Sequence, residues 1–239
     1  MSFLWDGIRQ AWHLIVSGDH TLVHLTWVTL EVAAVSTGIA LVVGLPIGLA
    51  LGLGRFRGRR LGLTLANAGL GLPPVLVGLV LSLLMFPQAP LGGAHLLFTL
   101  KGVFIAQTVL ALPIVIALTG AAVRAVPAGL LDQARAFGAG TGQVWMLALR
   151  EARIGILAGA IAAVGSALSE VGAVVLVGGN IEGVDQTLAS AALQKVDAGH
   201  FAEGVAIGII LLGLVLLVTA ALTFAQQHDH RAIRIRAPS

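Results

Sequence analysis

Few side chains in this 239-residue sequence are of a kind that does chemistry, and their spacing argues against catalysis. His20 and His24 stand at i and i+4 with His13 nearby, which puts two imidazoles on one helix face. No third ligand converges on them, so no metal site is expected and they read as membrane-surface histidines. His228, Asp229 and His230 lie in a polar tail and read as solvated. The only lysines, Lys101 and Lys195, lack a G-x-x-x-x-G-K-[ST] frame, so the chain is not expected to hold its own ATP site. Cysteine is absent, which removes disulfides and thiolate ligands. No nucleophile, base and orienting group form a catalytic set. The ionisable residue that stands out is Glu170, inside an apolar stretch, where such a group is a functional candidate by default. Ser166 and Ser169 precede it, and Asn180 follows the pair Gly178–Gly179, where a helix break is expected.

The elements that carry these residues follow from composition. Apolar residues make up 57% of the sequence and charged residues 10%, with a mean hydropathy of +0.97. Soluble domains average roughly 45–50% apolar and about 25% charged. A water-facing surface cannot be built from so few charges, so a single all-α integral membrane domain is expected over the whole chain. Each crossing takes about 20 apolar residues at about 1.5 Å rise. Five stretches qualify: 32–53 with a helical lead-in from Thr21, 63–86, 103–123, 154–177 and 205–224. The fourth contains Glu170, yet its eleven Ile, Leu and Val residues supply roughly −3 to −7 kcal/mol against about +2.5 to +3.5 kcal/mol for a central carboxylate. Residues 3–16, with Trp5, Ile8, Trp12 and Ile15 at near-helical spacing, read as a short amphipathic helix in the interface rather than a cleaved signal peptide.

Charge orients the bundle. Arg55, Arg57, Arg59 and Arg60 follow the first span; Arg124, Arg135, Arg150 and Arg153 separate the third and fourth; Arg231, Arg234 and Arg236 end the sequence. With five spans all of these fall on one side, which the positive-inside rule makes cytoplasmic. The N-terminus is then outside and the C-terminus inside. The net charge of +3 is accounted for by this bias, and nucleic-acid binding is not expected. Gly44, Gly48 and Gly52 form a small-xxx-small ridge for close helix packing. Pro46, Pro73, Pro74 and Pro113 lie within spans and are expected to kink them. The half-polar stretch 186–196 is helix-prone but too short to cross.

The most informative segment is the loop 124–153. Leu130 to Phe137 reads as a helix with an apolar face of Leu130, Leu131, Ala134 and Phe137. Gly138, Gly140 and Gly142 interrupt it, and Gln143 to Glu151 resumes. A helix–glycine–helix knob too small to be a domain and too apolar for water implies a docking partner. The string DQARAFGAGTGQVW from Asp132 to Trp145 resembles the EAA loop of ABC-importer permeases, with Asp132 at the acid, Ala134 at the third position and Gly138 at the glycine. Gln133 replaces an alanine of that motif, and LREAR at 149–153 replaces its usual Leu-Pro. That segment, together with GLPPVLVGL at 71–79, ALPIVIALT at 111–119 and ALSEVGAVVLVGGNI at 167–181, resembles the molybdate and tungstate permeases, the tungstate type most closely.

The resemblance implies a type I ABC-importer permease fold in a prokaryotic plasma (inner) membrane. It implies a homodimer around a pore, with Asp132, Gln133, Ala134, Phe137, Gly138 and Gly142 in a loop that docks on a separate ATPase. That partner would hold ATP and Mg, leaving this chain without a cofactor, and an extracytoplasmic binding protein would deliver the oxyanion. Ser166, Ser169, Glu170 and Asn180 are the candidates for a pathway or gate. A carboxylate repels an oxyanion, so Glu170 is expected to pair with a cation or with free N–H groups at a helix break. The serines and Asn180 could donate to a passing anion, although serine in a span commonly bonds its own backbone. Residues 186–196 are expected at the outer mouth, in a docking or gating role. The sequence leaves molybdate or sulfate open beside tungstate. It also leaves open an ion-coupled transporter or channel acting alone, and a membrane scaffold, though both leave the apolar knob unexplained.

Overall fold

The computed structural model describes residues 2–234, with side chains described over 5–227. Arg236, and the side chains of His228, Asp229, His230, Arg231 and Arg234, lie outside the described residues. Every described element is helical: α1 Ser2–Ser17, α2 His20–Leu53, α3 Arg59–Gly69, α4 Pro74–Met85, a 3-10 turn Gly92–Ala94, α5 Leu100–Arg124, α6 Ala128–Ala136, α7 Thr141–Glu151, α8 Arg153–Ser169, α9 Gly172–Gly178, α10 Leu188–Asp197 and α11 Phe201–Arg234. Three helices are long and apolar enough to cross a membrane: α2, α5 and residues 201–227 of α11. Counting the broken pairs α3 with α4 and α7 with α8 gives up to five crossings among the described residues.

Two expected spans are therefore not continuous helices. The stretch 63–86 is interrupted between Gly69 and Pro74. Pro73 holds φ −64° and ψ 120°, because a proline disfavours the helical region in the residue before it, and Pro74 then occupies the first turn of α4. The stretch 154–177 breaks at Glu170 and Val171, where α8 ends and α9 begins. Pro46 and Pro113, expected to kink their spans, lie inside helices that run through them.

The chain gathers into two compact units, one holding residues 2–36, 72–110 and 164–219 and the other 37–71, 111–163 and 220–234. In the second unit the glycine ridge of α2 lies against α5. A Cβ at Gly44 would stand 2.8 Å from Val115 Cγ1, one at Gly48 2.7 Å from Thr119 Cβ, and one at Gly52 3.1 Å from Val123 Cγ1. Three successive turns of α2 thus meet three turns of α5 so closely that a Cβ at Gly44 or Gly48 would force a shift and one at Gly52 would be tight. Arg59 donates from Nε to the Leu51 carbonyl at 2.8 Å and from Nη2 to the Gly52 carbonyl at 2.9 Å, closing the C-terminus of α2 with a cation.

In the first unit Val28, Val32, Val103 and Val174 form one cluster, and Met85, Ala106, Ala173 and Val177 another. On α1, Gly7 lies against Val205 and Ala11 is buried, whereas Trp5, Ile8, Trp12, Ile15 and Val16 are exposed. The half-polar stretch expected at the outer mouth is more deeply placed than its composition suggests: Leu188, Ala189, Ser190 and Ala191 of α10 are all buried. Thr187 caps that helix, and the Leu188 N–H donates to Thr29 Oγ1 at 2.9 Å, so these polar atoms are satisfied inside the unit.

Candidate functional site

The knob is built by a helix stop. The Ala139 N–H donates to the Ala134 carbonyl at 3.0 Å and the Gly138 N–H to the Arg135 carbonyl at 2.9 Å. This double closure defines a Schellman end to α6 and needs a left-handed residue at its C′ position, which Gly138 supplies at φ +86°. No atom lies within 4 Å of where a Gly138 Cβ would be, so its requirement is conformational rather than steric. Gly140 then extends the chain, its N–H donating to Gln143 Oε1 at 2.8 Å, and α7 begins at Thr141. Gly142, expected in the break, lies within the first turn of α7. Helix α8 follows at a bend of 64°.

The expected apolar face of α6 divides. Leu131 turns inward and joins Val123, Val144, Ala148, Ala152 and Ile156 in a buried cluster. Phe137 turns outward and is 84% exposed. Gln133 is exposed, Ala134 half-buried, and Asp132 bonds Arg135 Nη1 at 2.6 Å on the surface. The structure thus brings Asp132, Gln133, Ala134, Phe137 and Gly138 onto one small projection, with a large aromatic ring at its tip.

The residues around the fourth span have a different character. Glu170 Oε1 accepts from the Ala173 N–H at 3.2 Å, satisfying a first-turn donor of α9. Of the two partners considered for this carboxylate, a cation or free backbone N–H groups, the second is the one present. Ser169 Oγ donates to the Gly165 and Ser166 carbonyls of its own helix at 3.0 and 3.3 Å, and Ser166 is exposed. Asn180 adopts φ +57° just after Gly179, itself at φ +91°. Its Nδ2 reaches the Ser190 carbonyl at 3.5 Å, and its Oδ1 has no partner.

Two polar residues of this unit escaped the sequence reading. Asp185 is fully buried, with Oδ1 accepting from the Ile181 N–H at 2.6 Å and Oδ2 unpartnered, and burial pushes its carboxyl above the usual range. Gln107 is buried on α5 with its Nε2 unpartnered. Only the position of Asp185 after the Gly178–Gly179–Asn180 break hinted at the first; nothing in the sequence marked the second.

The described residues form a helical chain with helices long and apolar enough to cross a membrane and a knob that exposes Phe137. Residues 44–234 match the family model described as the binding-protein-dependent transport system inner membrane component. The chain belongs to this family. The permease is 41% identical over 204 residues, 83% of its own length and 88% of the relative's, to a probable anion ABC transporter permease protein of Haloferax volcanii. It is 30% identical over 227 residues, covering 95% of its length and all of the relative, to the tungstate uptake system permease protein TupB of Peptoclostridium acidaminophilum. Among solved structures, an inward-facing form of the MetNI methionine ABC transporter superposes with a TM-score of 0.70 at 24% identity, over 89% of this chain and 96% of that one. That likeness establishes the type I ABC-importer permease fold. The chain is a multi-pass membrane permease, and its family works with an ATPase and a binding protein.

Proposed function

We propose that this permease is the membrane subunit of an ATP-driven importer for tungstate, with molybdate the nearest alternative. Two copies surround the pore, the N-terminus faces outward and the C-terminus lies in the cytoplasm. The observation that carries the reading is the knob: Phe137, at 84% the most exposed large apolar side chain among the described residues, stands at the end of a glycine-terminated helix, where a docking partner would cover it. A separate ATPase supplies ATP and Mg chemistry, and the residues that grip it are Asp132, Gln133, Ala134, Phe137, Gly138 and Gly142. An extracytoplasmic protein delivers the anion, and α1 lies in the lipid interface with its two tryptophans outward. Ser166, Ser169, Glu170 and Asn180 line or gate the path, Glu170 by holding the start of α9 in place. Tungstate is favoured over molybdate by the relatives named for tungstate uptake, which match over more of the chain than the molybdenum permease of Azotobacter vinelandii, at 95% and 89% against 79%.

The test is tungstate uptake into proteoliposomes holding the permease and its ATPase, with the loaded binding protein added. Uptake and stimulated ATP hydrolysis should both fall at least about tenfold in Phe137→Ala, while the melting temperature of the isolated permease stays within the small range of a surface substitution, about 0.5 kcal/mol in stability. Undiminished coupling in that variant would remove the docking role from the knob.

A further inference from the structure

The knob does not stand on solid ground. At its base the second unit holds a cavity of about 650 Å³ whose walls include Arg55, Asp132, Arg135, Gly140, Thr141 and Trp145. A smaller cavity of about 260 Å³ shares Arg55, Asp132 and Arg135 with it and adds Arg59 and Arg124. Four guanidinium groups therefore surround a space with one carboxylate. That carboxylate, Asp132, is already bonded to Arg135 at 2.6 Å. Arg59 is committed to the Leu51 and Gly52 carbonyls. Arg55 and Arg124 have no side-chain hydrogen-bond or ion-pair partner among the described residues.

We propose that these adjoining cavities receive an acidic segment of the ATPase subunit, whose carboxylates are taken by Arg55 and Arg124. The inference rests on the reading of the knob as the ATPase docking surface and adds the chemistry of the grip. Three observations argue for this occupant. The uncompensated charge is positive, which calls for an anion. The larger cavity falls within the roughly 300–1,000 Å³ of sites that hold a sizeable group, so a bare oxyanion would leave most of it empty. Most of its walls are knob residues, with Leu53, Gly54 and Arg55 closing the other side, so any partner that covers Phe137 brings its own surface near the mouth. Asp132 stands at the acid position of the loop motif yet is tied to Arg135, which leaves the arginines as the groups free to pair across the interface.

The experiment uses the purified permease–ATPase complex. Arg55→Lys keeps the charge and introduces an amine, so a zero-length carbodiimide should join that new amine to an aspartate or glutamate of the ATPase, identified by mass spectrometry. The double reversal R55E/R124E should weaken assembly by about tenfold or more, the loss expected when a charge pair across an interface is replaced by repulsion. Replacing the cross-linked acid with arginine in the ATPase should restore it. An intact Arg55→Lys complex with no cross-link at position 55, together with normal assembly of R55E/R124E, overturns the proposal. So does normal assembly of R55E/R124E with an altered response to molybdate on the ATPase side, which would make the cavity an oxyanion site. Should R55E/R124E melt early on its own, the cross-link from the charge-conserving Arg55→Lys decides. Failure of the docking reading shows separately, as unaltered coupling in Phe137→Ala while the arginine variants are not involved.

Discussion

Phe137 and Leu131 sit six residues apart on one short helix and its C-terminal cap, and they separate two roles that their apolar character merges. Leu131 is 6% exposed and belongs to the buried cluster with Val144 and Ala148, so its loss would cost folding; Phe137 has nothing to lose in the isolated chain. Asp185 presents the opposite situation, an ionisable group placed where ionisation is penalised. Desolvation raises its carboxyl from the ordinary value of 3.8, outweighing the Ile181 N–H that favours the charged form. With the folded value above the unfolded one, the folded state holds the proton longer. Stability linked to this group is therefore complete below the ordinary carboxylate value and is lost as pH rises through the raised one. Asp185→Asn should keep the bond from Ile181 and abolish that dependence. Thermal melts of the two proteins across acidic to neutral pH should diverge with rising pH, with wild type losing ground; parallel curves would show that Asp185 is not charged at the cost supposed.

Between elements, the α2–α5 contact in the second unit is close enough to depend on three glycines four residues apart. A side chain at Gly48 would meet Thr119 Cβ at 2.7 Å and the Ile116 carbonyl at 3.0 Å, and a carbonyl belonging to a helix cannot rotate away. Gly48→Leu should therefore destabilise the permease by about 1–3 kcal/mol, the usual cost of overpacking. Gly38→Ala on the same helix, with nothing within 4 Å of the added Cβ, serves as the control and should be neutral or slightly stabilising. The two melting temperatures in detergent check the pair; a Gly48→Leu protein that melts no lower than Gly38→Ala would mean that the close contact with α5 does not govern this part of α2. The breaks in the second and fourth spans have local causes of their own. Pro73 and Pro74 forbid continuation in one, while Glu170 offers the backbone an alternative acceptor in the other.

For the whole molecule, the side of the membrane on which each loop lies is the claim that the proposed coupling rests on. The sequence contains no cysteine, so single cysteines can be introduced into an unmodified background. A cysteine in place of Phe137 should react with a membrane-impermeant maleimide only after the cells are opened. One in place of Gly93, exposed and with open space around it, should react in intact cells. Labelling in the reverse order would invert the topology and detach the knob from any cytoplasmic motor. Much of this organisation was legible beforehand. The apolar stretches, the helix–Gly138–helix segment and the glycine ridge of α2 were each readable because hydropathy, charge bias and helix breaking are properties of neighbouring residues, and neighbours are what a sequence lists.

Other features needed the folded chain. That Leu131 faces in and Phe137 out, that the α2 ridge meets Val115, Thr119 and Val123, that Thr29 receives the Leu188 N–H, and that Arg55 and Arg124 border a cavity beside Asp132 are all relations between residues remote in sequence or on opposite sides of one helix. The sequence by itself determined the membrane class, the approximate crossings and the place of the knob, because transfer free energies add residue by residue along a chain. Only the tertiary structure decided which spans break, which faces meet and which polar groups are left unpaired, because packing and desolvation depend on what each side chain is brought against.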